Sequence, residues 1–271
     1  ASLSTLDANT TGTLNALAVT TITGSVAEIN TIYAAKAAGT ISGLGDENVI
    51  ATGALTVTET NTISASTTGI ITATLSSTAI ADLQALTTSN SDQLTITIAD
   101  TTVDAANLNI LDTKTHVAVN TATITTLFGT YADLLDSYNA SSEGTITGLG
   151  NEAITLSETI TVAQLNNIAS HTTGLITATI SDNDMTTLDG ITESGHALTI
   201  SVTDEVVVAA DLNALDSKTT GAVTVTSTMI AGSAAEINTI YVAKAAGTIS
   251  GLGDEDLILS LIHISEPTRQ S

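Results

Sequence analysis

Apolar residues recur along this chain in two alternating rhythms. One has helical spacing, seen at Ile29, Ile32 and Tyr33, at Leu165 and Ile168, and at Leu212 and Leu215. The other alternates aliphatic with hydroxyl-bearing residues. In Leu94-Thr95-Ile96-Thr97-Ile98 it puts aliphatics on one face of a strand and threonines on the other. The strand rhythm returns at residues 71–75, 176–180, 198–202 and 223–226, where Thr and β-branched aliphatics suit a pleated surface. Helix starts are predicted near Ser25, Thr56, Thr78, Asp104, Thr130, Thr161, Asp184, Val208 and Ser233. Ser25 with Glu28, Thr56 with Glu59, Thr161 with Gln164 and Ser233 with Glu236 have capping-box spacing, in which each partner satisfies an orphan amide. Helices of about two to three turns are too short to persist without packing. A shorter extended piece is predicted ahead of each helix, as at residues 125–127 and 228–230. Gly12, Gly69, Gly174 and Gly221 each follow Thr and open a strand, and read as turn glycines.

The helix phrase returns about every 22 to 31 residues, inside the range of stacked repeats. A longer period lies above it. The segment GSVAEINTIYAAKAAGTISGLGD at residues 24–46 recurs almost letter for letter at 232–254, with a diverged copy at 129–151. This super-repeat is about 105 residues long and divides into about four coils. No coil can bury its apolar face alone, so neighbours must stack. The expected fold is a repeat solenoid: a right-handed β/α solenoid with parallel strands and one short helix per coil, because parallel crossovers are right-handed almost without exception. A row of separate globular domains of about 105 residues is the competing arrangement. The visible quarter-repeat favours the solenoid. It is expected to run through residues 1–258, truncated at both ends of a longer array, since residues 3–12 match 212–221 and so begin inside a coil.

Residues 259–271 break the pattern and hold the chain's only Pro and only Arg. The stretch 259–269 resembles a translated transposase sequencing adaptor, which implies an environmental shotgun source. The segment is therefore expected to be a non-native tail in which His263, Pro267 and Arg269 carry no function.

Composition narrows the function classes. There are 28 acidic residues against 5 basic ones, a formal charge of −23, so nucleic acid and anionic membranes are excluded as expected partners. Such a charge suits salt water, where screening weakens self-repulsion. Aromatics make up 2% of residues, which points to a thin core of small side chains. No apolar run approaches the roughly 18 residues needed to span a bilayer. Cysteine is absent, so the redox compartment cannot be read from thiols.

Candidate chemistry is sparse. Asp46 and Glu47, Asn151 and Glu152, and Asp254 and Glu255 each follow Gly-Leu-Gly, and calcium favours clusters of carboxylate and carbonyl oxygens. At roughly 4.8 Å per coil these turns would stand about 19 Å apart and could not share an ion. The alternative is solvated turn carboxylates, and no cofactor is expected. His116, His171 and His196 have no metal-ligand spacing and read as surface or turn residues. No nucleophile elbow or phosphate loop is present, so no enzyme is expected. The sharper candidate is a ladder of outward hydroxyls at Thr72, Thr74, Thr95, Thr97, Thr177, Thr179, Thr199, Ser201, Thr224 and Thr226. Stacked, these would form two columns resembling the ice-binding face of solenoidal antifreeze proteins, or a face for carbohydrate.

The phrases Ala-x-Leu-Asn-x-Leu-Asp, Thr-Thr-Gly and Gly-Leu-Gly-Asn/Asp-Glu resemble tandem repeats of giant secreted or cell-surface proteins of marine bacteria, cyanobacteria among them. That resemblance covers residues 1–258. It implies an extracellular, structural segment of a stalk, surface layer, filament or adhesin. Unpaired strands at the two cut ends of the solenoid are expected to make it associate end to end, and glycans or surfaces are the other expected partners. A ligand-binding solenoid and a viral tail-fibre-like protein are the alternatives.

Overall fold

The computed structural model describes residues 2–76 and 78–260. The tail residues His263, Pro267 and Arg269 lie outside the described residues. The chain is α/β, and the strands pair in parallel in each of its sheets. Helices begin where the caps announce them: Val26–Ala38, Val57–Ser64, Val162–Ala169 and Ala234–Ala246 each open on a complete capping box. Ala105–Asp112 and Met185–Leu188 are capped by Asp104 and Asp184. The remaining helices are Leu3–Ala8, Ile80–Leu83, Tyr131–Glu143 and Ala209–Lys218. Backbone amides, and then hydroxyls, of the cap residues hold the Glu28, Glu59 and Glu236 carboxyls below the ordinary carboxylate range. Their stabilisation is therefore complete above that range and is lost as pH falls through it.

The contacts divide the chain into two compact units. One holds the described residues up to 127 together with 132–149; the other holds 128–131 and those from 150 onward. In the first, strands Thr21–Ser25, Asn48–Leu55, Ile71–Leu75 and Gln93–Thr95 lie side by side in chain order. Two short pairs accompany them, Leu14–Asn15 with Ile41–Ser42 and Val119–Asn120 with Ile146–Thr147. The second unit orders Ala153–Ile160, Ile176–Ile180, Ala197–Val202, Val223–Val225 and Ile249–Ser250 in the same way. A second sheet there joins Val206–Val208, Met229–Gly232 and Asp256–Leu259. Within each sheet, a strand meets the strand of the following coil. Leu259 pairs with Gly232, so the strand runs one residue past the boundary expected at 258.

Register converts sequence alternation into columns. Ile22 meets Val49, and Val49 meets Ile71; Ile200 meets Val223, and Val223 meets Ile249. All six are buried. Each such side chain contributes about 1.5–3 kcal/mol over leaving it in water. The two eight-residue strands both slip register, between Ile50 and Ala54 and between Thr155 and Thr159. Sequence alternation does not show this slip, because a bulge changes pairing without changing composition.

The strand-opening glycines have a different role from the one expected. Gly69, Gly174 and Gly221 do not need a left-handed backbone. A Cβ at Gly69 would stand 2.3 Å from the Glu47 carbonyl oxygen, at Gly174 2.1 Å from that of Glu152, and at Gly221 2.1 Å from that of Leu198. They are glycines because the preceding coil's backbone passes there. Gly12 meets only Thr10 Oγ1, at 3.7 Å. Gly69→Ala is therefore expected to lower stability by about 1–3 kcal/mol, as an overpacked junction does. Gly12→Ala is expected to stay within about 0.5 kcal/mol. Urea midpoints of the two variants check both.

Candidate functional site

Two features reach the surface in repeated form, the hydroxyl-bearing strands and the acidic turns. The ladder residues face outward as alternation requires. Thr74, Thr95, Thr177, Thr179, Thr199, Ser201 and Thr226 are exposed, and Thr72, Thr97 and Thr224 are half-buried. Two continuous columns do not form, however. In the second unit Thr179 stands between Thr159 and Thr199, and Ser201 meets Thr224, which meets Ser250. Thr224 and Ser250 share a hydrogen bond of 3.2 Å between hydroxyls. Thr177 adjoins Thr155 on one side but Ala197 on the other. In the first unit Thr72 lies between Ile50 and Gln93, Thr74 between Ala54 and Thr95, and Thr97 beside Asn120. Coils of unequal length bring successive Thr-x-Thr pairs into offset register, so the hydroxyls form short columns broken by other side chains.

The acidic turns are occupied from within. Glu47 is 1% exposed, and its Oε1 accepts the Tyr33 hydroxyl at 2.5 Å while Oε2 accepts the Gly45 amide at 2.6 Å. The Glu47 carbonyl accepts Thr67 Oγ1 of the next coil at 2.7 Å. Lys36 lies over the Tyr33 ring, 5.7 Å from its centre, and donates to the Ser66 carbonyl at 3.1 Å. Helix, turn and following coil are thus tied at one node. Glu152 is also 1% exposed and accepts the Gly150 and Asn151 amides at 2.7 and 3.1 Å. In the last copy Glu255 accepts the Gly253 amide at 2.6 Å and the Tyr241 hydroxyl.

The expectation of solvated turn carboxylates is therefore corrected for Glu47 and Glu152. Backbone amides freed by the Gly-Leu-Gly turn pull each carboxylate inward. Asp46, Asn151 and Asp254 remain exposed. Among the described residues no group of three or more His, Cys, Asp or Glu side chains is placed to hold a metal ion. None of the described helices is long and apolar enough to cross a membrane.

Burial, with Glu47 beside it, pushes the Tyr33 phenol well above its ordinary value. The hydrogen bond to Glu255 and then burial push Tyr241 up to about 12. Burial would raise Glu255, but the Gly253 amide and the Tyr241 hydroxyl outweigh it and hold that carboxyl low.

Several anchoring side chains were not evident as such in the sequence. Thr67, Thr115, Thr172 and Thr219 are buried, and each donates to a carbonyl of the preceding coil. Asp100, Asp182 and Asp204 each accept the first helical amide of the preceding coil: Ile80 at 2.6 Å, Val162 at 2.6 Å and Met185 at 2.8 Å. The Asn of the Leu-Asn phrase reaches forward. Asn109 donates to Asp133, Asn166 to Gly190 and Asn213 to Glu236. The recurrence of Asn after Leu, about two coils apart, was the available signal. For the buried threonines no signal separates them from their exposed neighbours.

The histidines are differently placed from one another. His116 is exposed, whereas His171 and His196 line one open cleft of about 440 Å³ with Glu193.

Tyr33→Phe is expected to cost about 1–2 kcal/mol in a urea titration, because it strips a donor from a buried carboxylate. The raised phenols stabilise the fold fully below their ordinary value of about 10, and that contribution is lost as pH climbs towards 12. The melting temperature of the unmodified chain should fall over that window, and that of Tyr33→Phe should fall less. Calcium at about 1 mM should leave the melting temperature unchanged, since the turn glutamates are already bonded to the backbone. Comparison with protein-family models, with curated proteins and with solved structures finds no match to this chain.

Proposed function

We propose that residues 1–258 are a stretch of right-handed β/α solenoid serving as a structural segment of a long extracellular repeat protein, such as a stalk, surface layer, filament or adhesin. The observation that carries this reading is the parallel pairing of each strand with that of the following coil. The same Asn and Thr side chains recur at the junctions. Junctions of that kind can be repeated without limit, as a spacer requires. The extracellular setting rests on the resemblance of the repeat phrases to giant surface proteins. The acidic surface suits a segment that must stay soluble and extended. In this reading the segment performs no catalysis.

A second reading is favoured by the short exposed columns Thr159–Thr179–Thr199 and Ser201–Thr224–Ser250. They offer clustered hydroxyl donors and acceptors to a carbohydrate. Their breaks suit a sugar-sized ligand better than an extended ice lattice.

Arrays of one, two and three super-repeats test the first reading by small-angle scattering. Each added unit should lengthen the particle by about 19 Å, four coils at the strand spacing. Irregular increments, as from tethered closed modules, would reject it. Glycan-array binding by the same arrays that is lost in Thr179→Leu would support the second reading.

A further inference from the structure

The two units solve the same junction with different chemistry. In the first, the Ile71 amide opens its strand by donating to Asp92 Oδ1 at 2.8 Å, and the second oxygen of Asp92 accepts Ser89 N at 3.0 Å. In the second unit the equivalent amide, that of Ile176, donates to His196 Nδ1 at 3.2 Å. The loop carrying His196 has one residue fewer than the loop carrying Asp92. The acceptor has changed from a carboxylate to an imidazole, the side chain type whose ordinary titration lies closest to neutrality.

An imidazole that accepts at Nδ1 is neutral and carries its proton on Nε2. Protonation turns Nδ1 into a donor, so that two N–H groups face each other at the strand start. His196 is also tied through its backbone: its carbonyl accepts Thr220 N at 2.8 Å and Thr219 Oγ1 at 3.1 Å. The backbone segment that carries the imidazole is therefore tied to the next coil. We propose that His196 is an acid-sensitive latch, closing the junction between strands Ile176–Ile180 and Ala197–Val202 when neutral and opening it when protonated.

The titratable groups around it are Glu193 on its own loop and His171 across the cleft. Lys218 lies beyond them, its carbonyl accepting Gly195 N and its ammonium 3.7 Å from Asp189. Burial holds the His196 imidazole below its ordinary value, with Glu193 pulling the other way. The latch therefore contributes fully above about pH 6.5 and is lost as pH falls below that. The capping carboxylates respond only at lower pH, so the two effects separate. The inference does not depend on the proposed spacer role.

Amide hydrogen exchange on the full chain tests it, with Ile71 as the internal reference. Between about pH 7.5 and 5.5, protection of Ile176 should drop about tenfold relative to Ile71, the size expected when a buried donor loses its acceptor. In His196→Asn, whose Oδ1 accepts at any pH, that relative drop should vanish, and in His171→Gln it should persist. The proposal is overturned by no relative drop in the unmodified chain, by a drop that survives in His196→Asn, or by one that vanishes in His171→Gln. Should His196→Asn fail to fold, imidazole nitrogen shifts of the unmodified chain decide the matter. An Nδ1-protonated tautomer at about pH 7.5 would overturn it.

Discussion

Short coils leave backbone amides and carbonyls at their ends that no group of the same coil can reach. A buried polar group left unpaired costs about 1–3 kcal/mol. With so few aromatic residues and a core of aliphatic columns, little surplus exists to absorb such losses. The structure meets this constraint by lending side chains across junctions. Thr67 and Thr172 reach back to the carbonyls of Glu47 and Glu152. Asp100 and Asp182 reach back to the first amides of helices, and Asn166 reaches forward to Gly190. The glycines at 69, 174 and 221 let the backbones approach closely enough for these bonds to form.

The acidity of the chain takes on a second meaning in this light. Net charge governs partners and solubility. Yet many carboxylates are fixed to backbone donors: Glu28, Glu59 and Glu236 in capping boxes, Glu47 and Glu152 inside Gly-Leu-Gly turns, Asp92 at a strand start. A carboxylate has about four lone-pair sites and no donor of its own, so it suits a place crowded with amides. Short helices and short strands supply many such places. Acid enrichment is therefore partly a consequence of dividing the chain into many short elements.

The same demand leaves a residue of unsolved pairing. Thr40, Thr145 and Thr248 each donate to one carboxylate oxygen of Asp7, Asp112 and Asp216, at 3.1, 2.9 and 3.1 Å. The other oxygen of each of these aspartates is buried without a hydrogen-bond partner. Burial accordingly raises the Asp112 carboxyl above its ordinary value, against the pull of Thr145. The recurrence in all three copies shows a cost built into the repeat rather than a local accident.

Periodicity, caps and repeat length were legible from residues alone, because they depend on neighbours a few positions apart. The helix beginning after Ser25 and the strand at Ile176–Ile180 are such cases. Outside the alternating strands, whether a given threonine is exposed was not legible. Thr173 is exposed and Thr172 is buried, though they are adjacent and identical. The turn glutamates were misread because the adjoining amides of Gly45, Gly150 and Asn151 point at them only once the Gly-Leu-Gly turn has formed, and the phenol that meets Glu47 lies 14 residues away. By itself the sequence determined which segments are helix or strand, and that the aliphatics of each strand share one face. The tertiary structure alone decided the register between coils, and with it which hydroxyls align, which carboxylates turn inward and which glycines are indispensable. Those outcomes depend on contacts between residues one coil apart, whose alignment changes whenever a loop gains or loses a residue.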